Sequence, residues 1–493
     1  MKRIMTVVGV LVLGWLGATA YISSTFKSEF EQYLQRVNTL YASQGVQYKA
    51  EVESSLFTSD VKLEIDFDAE HIGKAAADIY VEFIKLPIKV AYQVEHGPIF
   101  YRDGLGIGFA KFTAQMKASE MLAEKSKEEL LKVIPEDVTL YLTEVLCFDK
   151  QLKIALYSSA VTAEENGAKV EIAPLTGSGV IDTETLLGSF GITLPKISLE
   201  REGINAVMTG TTLHMDMKDM LGGKYLLGDG QFKIAKVRVE QKELSNPVEM
   251  DFTMDFKTGR EEGDYLMADI AMQFNQKGLE QLDPTTGGVA EQVNFSMKLQ
   301  GISMDALQKF EEVNRKQLEM TDMMYGMMTE TDPAKAEAAL KRAETAQEDF
   351  MNATTEAFKA LLVKERTKVS AAMDLTKDDA KSSMSLSIGY VGEALNGSLE
   401  EMVAYLQRKP LEYLALDADL DFNEKHLALN PSPEAQQQAK MGFDMAVMQG
   451  MMNFENGVYS TKLEYKPKVL KINGQDKSQE ILPMLEMSLA QGR

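Results

Sequence analysis

Long stretches of this chain alternate strictly between apolar and polar residues, and that period of two restricts them to antiparallel sheet. Met250, Phe252, Met254 and Phe256 alternate with Asp251, Thr253, Asp255 and Lys257. Leu266, Ala268, Ile270, Met272 and Phe274 alternate with Met267, Asp269, Ala271, Gln273 and Asn275, and Val293, Phe295, Met297 and Leu299 with Asn294, Ser296, Lys298 and Gln300. Successive side chains of a strand point to opposite faces, so each run has one apolar and one wet face. Parallel sheets covered on both sides carry continuous apolar runs instead. The connections are short and rich in turn formers, as at Glu165-Asn166-Gly167, Glu202-Gly203, Gly228-Asp229-Gly230 and Glu262-Gly263-Asp264. The spacing predicts a long antiparallel meander over about 138–301. A slip of phase between Ile234 and Val237 predicts a β-bulge that bends one strand.

Around this meander the period changes. Val61, Leu63, Ile65 and Phe67 mark a half-buried strand, strand-like runs follow over 86–94 and 99–112, and a helix is expected over 114–133, ended by Pro135. Ser303 caps a helix to about 328, and Asp332-Pro333 opens a second one to about 363, making a helical hairpin whose second arm is solvated. Strands resume over 373–375 and 384–390, then a helix over 398–406 and a strand over 414–422. Ser432-Pro433-Glu434 opens a helix expected to reach about 454 and end at Asn456-Gly457. Strands over 459–465 and 469–472 lead into the turn pair Asn473-Gly474. The fold class is α+β, a long, curved antiparallel sheet with one face covered by helices. Its parts are an N-terminal segment over 1–24, a mainly β body over 25–302, the hairpin over 303–368 and a strand-helix-strand part over 369–493.

The N-terminal segment reads as a transmembrane or signal helix. Lys2 and Arg3 precede an uncharged run to Ser24 with Trp15 and Tyr21 toward its end, the layout of an export signal or signal anchor. A span needs about 20 apolar residues, which Ile4 to Ile22 just supplies. Ala18-Thr19-Ala20 also offers a cleavage site. The uncleaved anchor is the preferred reading, because the apolar run passes through that site and ends in Tyr21 and Ile22, which suit an interface. A second helical pattern follows in Phe26, Phe30, Tyr33, Leu34, Val37 and Tyr41. The 52 basic and 74 acidic residues leave a net charge of -22, which argues against nucleic-acid partners and against docking on anionic lipid by charge. Cys147 is the sole cysteine, so no intrachain disulfide forms and the thiol reads as a small buried side chain.

No motif identifies a reaction, a metal or a cofactor, and no catalytic residue is assigned. His71, His96, His214 and His426 are far apart in sequence, without Cys or His partners at ligand spacing. Asp417, Asp419 and Asp421 share one strand face and read as solvated, since the Gly and Glu of a calcium loop are missing. The run Gly104-Leu105-Gly106-Ile107-Gly108 is a glycine-alternating strand edge rather than a nucleotide loop. Of 30 methionines, Met320, Met323, Met324, Met327 and Met328 form one helix stripe and Met441, Met445, Met448, Met451 and Met452 another. Such stripes are adaptable apolar surfaces, with soft Cu(I) ligation the rarer alternative.

The N-terminal helix, the strand end Val94-Glu95-His96-Gly97-Pro98, the phrase Leu299-Gln300-Gly301-Ile302-Ser303-Met304-Asp305-Ala306-Leu307 and the closing Leu470-Lys471-Ile472-Asn473-Gly474 together resemble the bacterial YdgA/YihF-like family of unknown function. The resemblance implies a protein anchored in the inner membrane of a Gram-negative cell with its bulk in the periplasm. It supplies no catalytic residues, so His96, Gly97, Pro98, Asn473 and Gly474 carry over as family markers without a role. The expectation is a non-enzymatic binding or scaffold protein of the cell envelope whose apolar sheet face takes a lipid-like ligand or a protein partner. The alternatives are a hydrolase built from dispersed carboxylates and a homo-oligomeric structural protein.

Overall fold

The computed structural model describes residues 2–42, 45–67, 81–101, 105–133, 135–281, 290–329, 333–430 and 432–491; His71, Asp332 and Gly104 lie outside them. The chain divides into two compact units, one made of Met1–Glu202, Thr209–Gly228 and Thr321–Ala336, the other of Gly203–Met208, Asp229–Met320 and Glu337–Arg493. Every strand pairing described is antiparallel, as the alternation requires.

The first unit opens with a single helix, α1 (Lys2–Tyr41). The strands that follow are β1 (Val46–Ser54), β2 (Thr58–Phe67), β3 (Ile88–His96), β4 (Ile99–Phe100), β5 (Gly106–Ile107) and β6 (Ala110–Lys117). Helices α2 (Ala118–Met121) and α3 (Glu124–Val133) lead to β7 (Thr139–Leu146), β8 (Gln151–Ser158), β9 (Val161–Glu165), β10 (Ala168–Ile172), β11 (Thr176–Asp182) and β12 (Gly188–Arg201). Pairing runs β1-β2-β3-β6-β7-β8-β11-β12-β10-β9, open at both ends. β4 and β5 form a separate two-stranded ribbon. The core lies where α1 crosses this sheet: Phe26 meets Val61, Val90, Tyr92, Val94, Ala110, Phe112 and Ala114.

Strands β13 (Ile204–Leu221) and β14 (Tyr225–Gln241) are divided between the units; the second unit goes on with β15 (Val248–Glu261), β16 (Tyr265–Lys277) and β17 (Gln292–Ile302), then most of the hairpin of α4 (Met304–Thr329) and α5 (Pro333–Leu361), whose residues 321–336 are counted with the first unit. β18 (Lys368–Lys377), β19 (Ala380–Tyr390), α6 (Leu399–Arg408), α7 (Pro410–Tyr413) and β20 (Leu414–Asn423) follow, then α8 (Pro433–Met448), β21 (Asn453–Glu455), β22 (Val458–Lys466), β23 (Val469–Ile472), β24 (Gln475–Asp476) and α9 (Ser478–Gln491). Strands β14 to β20 pair in chain order. β20 then takes β22, whose far edge is shared by β21 and β23. The register between β14 and β15 shifts between Ile234 and Val237, the bulge expected from the phase slip. Ser303 caps α4 by accepting from the Ala306 amide at 3.1 Å, and Ser398 closes a full capping box with Glu401 on α6.

Several expectations are corrected. The run over 99–112 is not one strand: the chain folds back on itself so that Gly108 donates to Pro98 and Gly97 to Phe109, which sets the β4–β5 ribbon apart from β6. Residues 114–117 are strand rather than helix, because Ala114 and Met116 keep the β6 alternation opposite Leu142 and Leu140. Helix α8 stops at Met448, with Gly450 at φ +70°, and Asn456 and Gly457 instead turn the β21–β22 hairpin. The strand β1 and the terminal helix α9, which holds Pro483 in its interior, are additions to the expected elements.

The largest revision concerns the N-terminal stretch. Among the described residues no helix is long and apolar enough to cross a membrane, and the side chains of residues 1–12 lie outside that description. From Trp15 onward α1 belongs to the folded body. Thr19, Ile22 and Phe26 are buried, and the Trp15 ring stacks on Phe57 with centroids 5.7 Å apart. Ile22 therefore packs inside the protein instead of marking an interface. A Phe26→Ala variant is expected to lose on the order of 3–5 kcal/mol in urea unfolding of the first unit. A loss near zero would mean that α1 is not part of its core.

Candidate functional site

Two features have the geometry of a site: a cleft under α1 in the first unit and an apolar sheet face in the second. The cleft begins at the corner made by His96, Gly97 and Pro98. His96 is buried, its Nε2 2.9 Å from the Ser59 hydroxyl and its Nδ1 3.3 Å from the Leu56 carbonyl. The Phe26 ring lies over it, 5.1 Å between centroids. Burial lowers the imidazole pKa and the bond to the Leu56 carbonyl opposes the shift, so the ring is a neutral structural group. The Thr19 hydroxyl donates to the Gly97 carbonyl at 2.8 Å. A Cβ on Gly97 would overlap the Gly108 carbonyl oxygen, which only glycine avoids. The marker triplet is therefore the seat on which α1 docks.

Beyond this seat α1 bridges a cleft of about 50 Å³, lined on the helix side by Phe30, Tyr33 and Arg36 and on the sheet side by Phe112, Glu144 and Leu152. That is room for a few waters or a small group. Glu144 occupies an apolar-phase position of β7, between Leu142 and Leu146 and opposite Phe112 and Ile154. Burial pushes its carboxyl pKa up to about 7, against a hydrogen bond from the Tyr92 hydroxyl that favours the charged form. Tyr33 and Tyr92 are in turn pushed upward, first by burial and then by the Glu144 charge. The Arg36 Nε is buried without a partner. Glu29, the other carboxylate of the cleft, is tied to Lys150 at 3.2 Å. One raised carboxyl beside an occupied one does not make the converging pair a dispersed-acid hydrolase needs.

In the second unit the registers bring the apolar phases into ladders across the sheet. Phe232, Met254, Met272, Phe295, Met373, Met384 and Leu420 lie in line from β14 to β20. Flanking rows are Phe252, Phe274, Val293 and Leu375 on one side and Phe256, Ile270, Met297, Ala371 and Leu386 on the other. None of these side chains is buried, and Met297 and Met384 are 42% and 46% exposed. The Phe256 ring lies flat over Gly230, where any Cβ would collide with it. Helices close the face toward its far edge. Phe443 of α8 stacks between Phe422 and Tyr459, centroids 4.9 and 5.0 Å away, and Leu482 of α9 packs with Tyr465, Leu470 and Ile472.

The remaining sequence candidates are structural or solvated. His214 is exposed, and His426 is buried with Nδ1 2.7 Å from the Ser382 hydroxyl. Asp417, Asp419 and Asp421 are exposed on the wet face. Asn473 and Gly474 take positive φ, 51° and 78°, to turn β23 into β24. The Asn473 side chain accepts from the Lys462 amide at 2.9 Å and donates to the Met451 carbonyl at 3.4 Å. Of the methionine stripes, Met441, Met445 and Met448 stand in solvent while Met452 is buried. Cys147 is half-buried and free. Among the described residues no group of three or more His, Cys, Asp or Glu could hold a metal ion.

The model of the family described as "Bacterial protein of unknown function (DUF945)" matches residues 1–480. This fits the expected bacterial family of unknown function at a coarser level than the YdgA/YihF likeness. No curated protein and no solved structure matches the chain.

The Glu144 shift has a defined pH signature. Its folded pKa of about 7 lies above the 4.5 of the free side chain, so the folded state holds the extra proton between those values. Stability from this group is complete below about 4.5 and falls as pH rises through 7. Glu144→Gln is expected to match the wild type near pH 4.5 and to exceed it above pH 7 by up to about 3 kcal/mol. The check is the difference in urea midpoints at the two pH values; an equal difference at both would refute the buried carboxyl.

Proposed function

The chain belongs to this bacterial family of unknown function, and from that premise we propose that it is a non-enzymatic binding protein of the cell envelope, held at the membrane by its N-terminal stretch, whose half-exposed apolar sheet face takes a lipid-like ligand. The observation that carries this reading is the run of apolar ladders from β14 to β20 without a buried side chain. Seven strands at about 4.8 Å spacing give a face about 29 Å wide. A monomer rarely leaves so large an apolar patch to water without a use for it. Acyl chains suit it because the rows are Met and Phe, which adapt to a flexible chain, and because the rows themselves offer no charge to orient a polar ligand.

The N-terminal charges Lys2 and Arg3 and the apolar run after them support the membrane placement. The acidic body, at net charge -22, has no electrostatic attraction to anionic lipid. Holding it at the inner membrane therefore falls to apolar contacts.

A photoactivatable fatty acid added to the purified chain is expected to label peptides from β15 to β18. Met254→Lys with Met272→Lys should reduce labelling by about tenfold or more, while the melting curve persists, since both positions reach solvent. Labelling absent or confined to other peptides would defeat the proposal.

A further inference from the structure

A second apolar surface lies in the first unit, on residues that the sheet face does not use. It is built from three segments held together at the His96-Gly97-Pro98 corner. The turn between β1 and β2 carries Leu56 and Phe57, 45% and 39% exposed. The β4–β5 ribbon carries Ile99 and Ile107, direct partners that are 43% and 70% exposed, with Tyr101 and Leu105 toward its tip at 70% and 86%. The third segment is α1 at Leu13 and Trp15, Leu13 being 70% exposed.

These segments are fixed to one another. Trp15 stacks on Phe57, the His96 amide donates to the Phe57 carbonyl at 2.9 Å, and Thr19 of α1 holds the Gly97 carbonyl from which the ribbon springs. Phe100, on the inner side of the ribbon, is 1% exposed, so the ribbon is anchored through one ring while its isoleucines face outward. In a chain of net charge -22, no described residue of 13–19, 55–57, 97–101 or 105–109 is charged.

The docking of α1 also restricts how the chain meets a membrane. With Trp15 and Thr19 committed to the body, the apolar run left after Arg3 is Ile4 to Gly14, 11 residues, or about 17 Å of helix. The hydrocarbon core is about 30 Å thick. A run that short lies at the interface or enters one leaflet, and the body is then carried down to the lipid headgroups.

We infer that the β1–β2 turn, the β4–β5 ribbon and the start of the docked part of α1 form a bilayer-contacting surface, seated among the headgroups and the upper acyl chains. The inference rests on the membrane placement proposed above but concerns a different surface from the ligand-binding face. A patch whose described residues are uncharged, with Trp, Tyr, Phe, Leu and Ile at its edge, has the composition that partitions to that depth. It also lessens the conflict between an acidic body and an anionic membrane, because the described residues brought close to lipid carry no acidic group and the one acidic residue between Tyr101 and Leu105, Asp103, follows Arg102 in the sequence.

The test uses the full chain with Cys147→Ser and a single new cysteine, Ile107→Cys or, as control, Tyr157→Cys, each labelled with an environment-sensitive NBD dye. Vesicles of phosphatidylethanolamine and phosphatidylglycerol are added, with and without brominated acyl chains. The Ile107→Cys label is expected to shift to the blue and to be quenched by the brominated lipid, and the Tyr157→Cys label to do neither. In the unlabelled chain Ile99→Ser with Ile107→Ser should weaken vesicle partition by about tenfold. A vesicle-bound chain whose Ile107→Cys label stays in water overturns the inference and leaves the membrane placement standing. No vesicle binding overturns both, and equal quenching at both sites, or unchanged partition of the serine variant, overturns the surface.

Discussion

A strand with one apolar face must cover that face or leave it to water, and the described structure is arranged around this constraint. In the first unit a single helix does the covering. Phe26 and Phe30 of α1 lie on Phe112 with ring centroids 5.8 and 5.9 Å away, and the helix is seated on the corner at His96 and Gly97, to which its Thr19 is hydrogen-bonded. In the second unit helices cover β20 to β23, while β14 to β19 carry rows of half-buried Met and Phe, with Met297 and Met384 exposed. Where the cover is complete the protein has an ordinary core. Where it is incomplete the protein has a partly exposed apolar face.

Much of this was legible in the sequence because a period of two can be counted. The strand phases over 250–300 match the registers apart from a shift between Leu266 and Ala268, the bulge near Ile234 falls where the phase slipped, and the cap at Ser303 is in place. What misled was glycine and apolar excess. Gly106 and Gly108 continue an apparent strand through what is a fold-back, since glycine keeps the pattern without contributing a side chain. The first helix was split in two because residues 4–22 are apolar on every side, which hides the stripe Trp15, Thr19, Ile22 and Phe26 that meets the body. Only the threonine, a polar residue aimed inward, carried that information. Glu144 was missed although its signal was plain: a carboxylate at the apolar phase of β7, among Leu140, Leu142 and Leu146.

The family markers turn out to be joints. Gly97 permits the backbone contact under α1. Gly301, at φ +73°, donates to the Glu261 carboxylate at 2.9 Å while Gln300 donates to the same group at 2.8 Å, fixing the turn from β17 into the hairpin. Asn473 ties the β23–β24 turn to β22 and to the segment after α8. Each marker supplies a left-handed backbone, a close approach or a backbone hydrogen bond that few other residues could provide. None of them points into the cleft or onto the apolar ladders. Short motifs of this kind recognise a fold and say little about its ligand.

The order of the strands has a consequence for assembly. From β14 to β16 each strand pairs with the next one in the chain across a short turn or loop, and β17 follows β16 after the longer connection over 278–291. Such a sheet grows by local zipping, since every new strand finds its partner already in place and the loop entropy lost per step is small. Three joints break that rule more strongly. β17 meets β18 only after the whole α4–α5 hairpin has been spanned, β19 meets β20 only after α6 and α7, and β20 meets β22 only after α8. Until those closures occur, the edges of β17, β19 and β20 stand open beside Met and Phe rows, and these are the moments at which an unfinished chain is most exposed to pairing with another copy of itself.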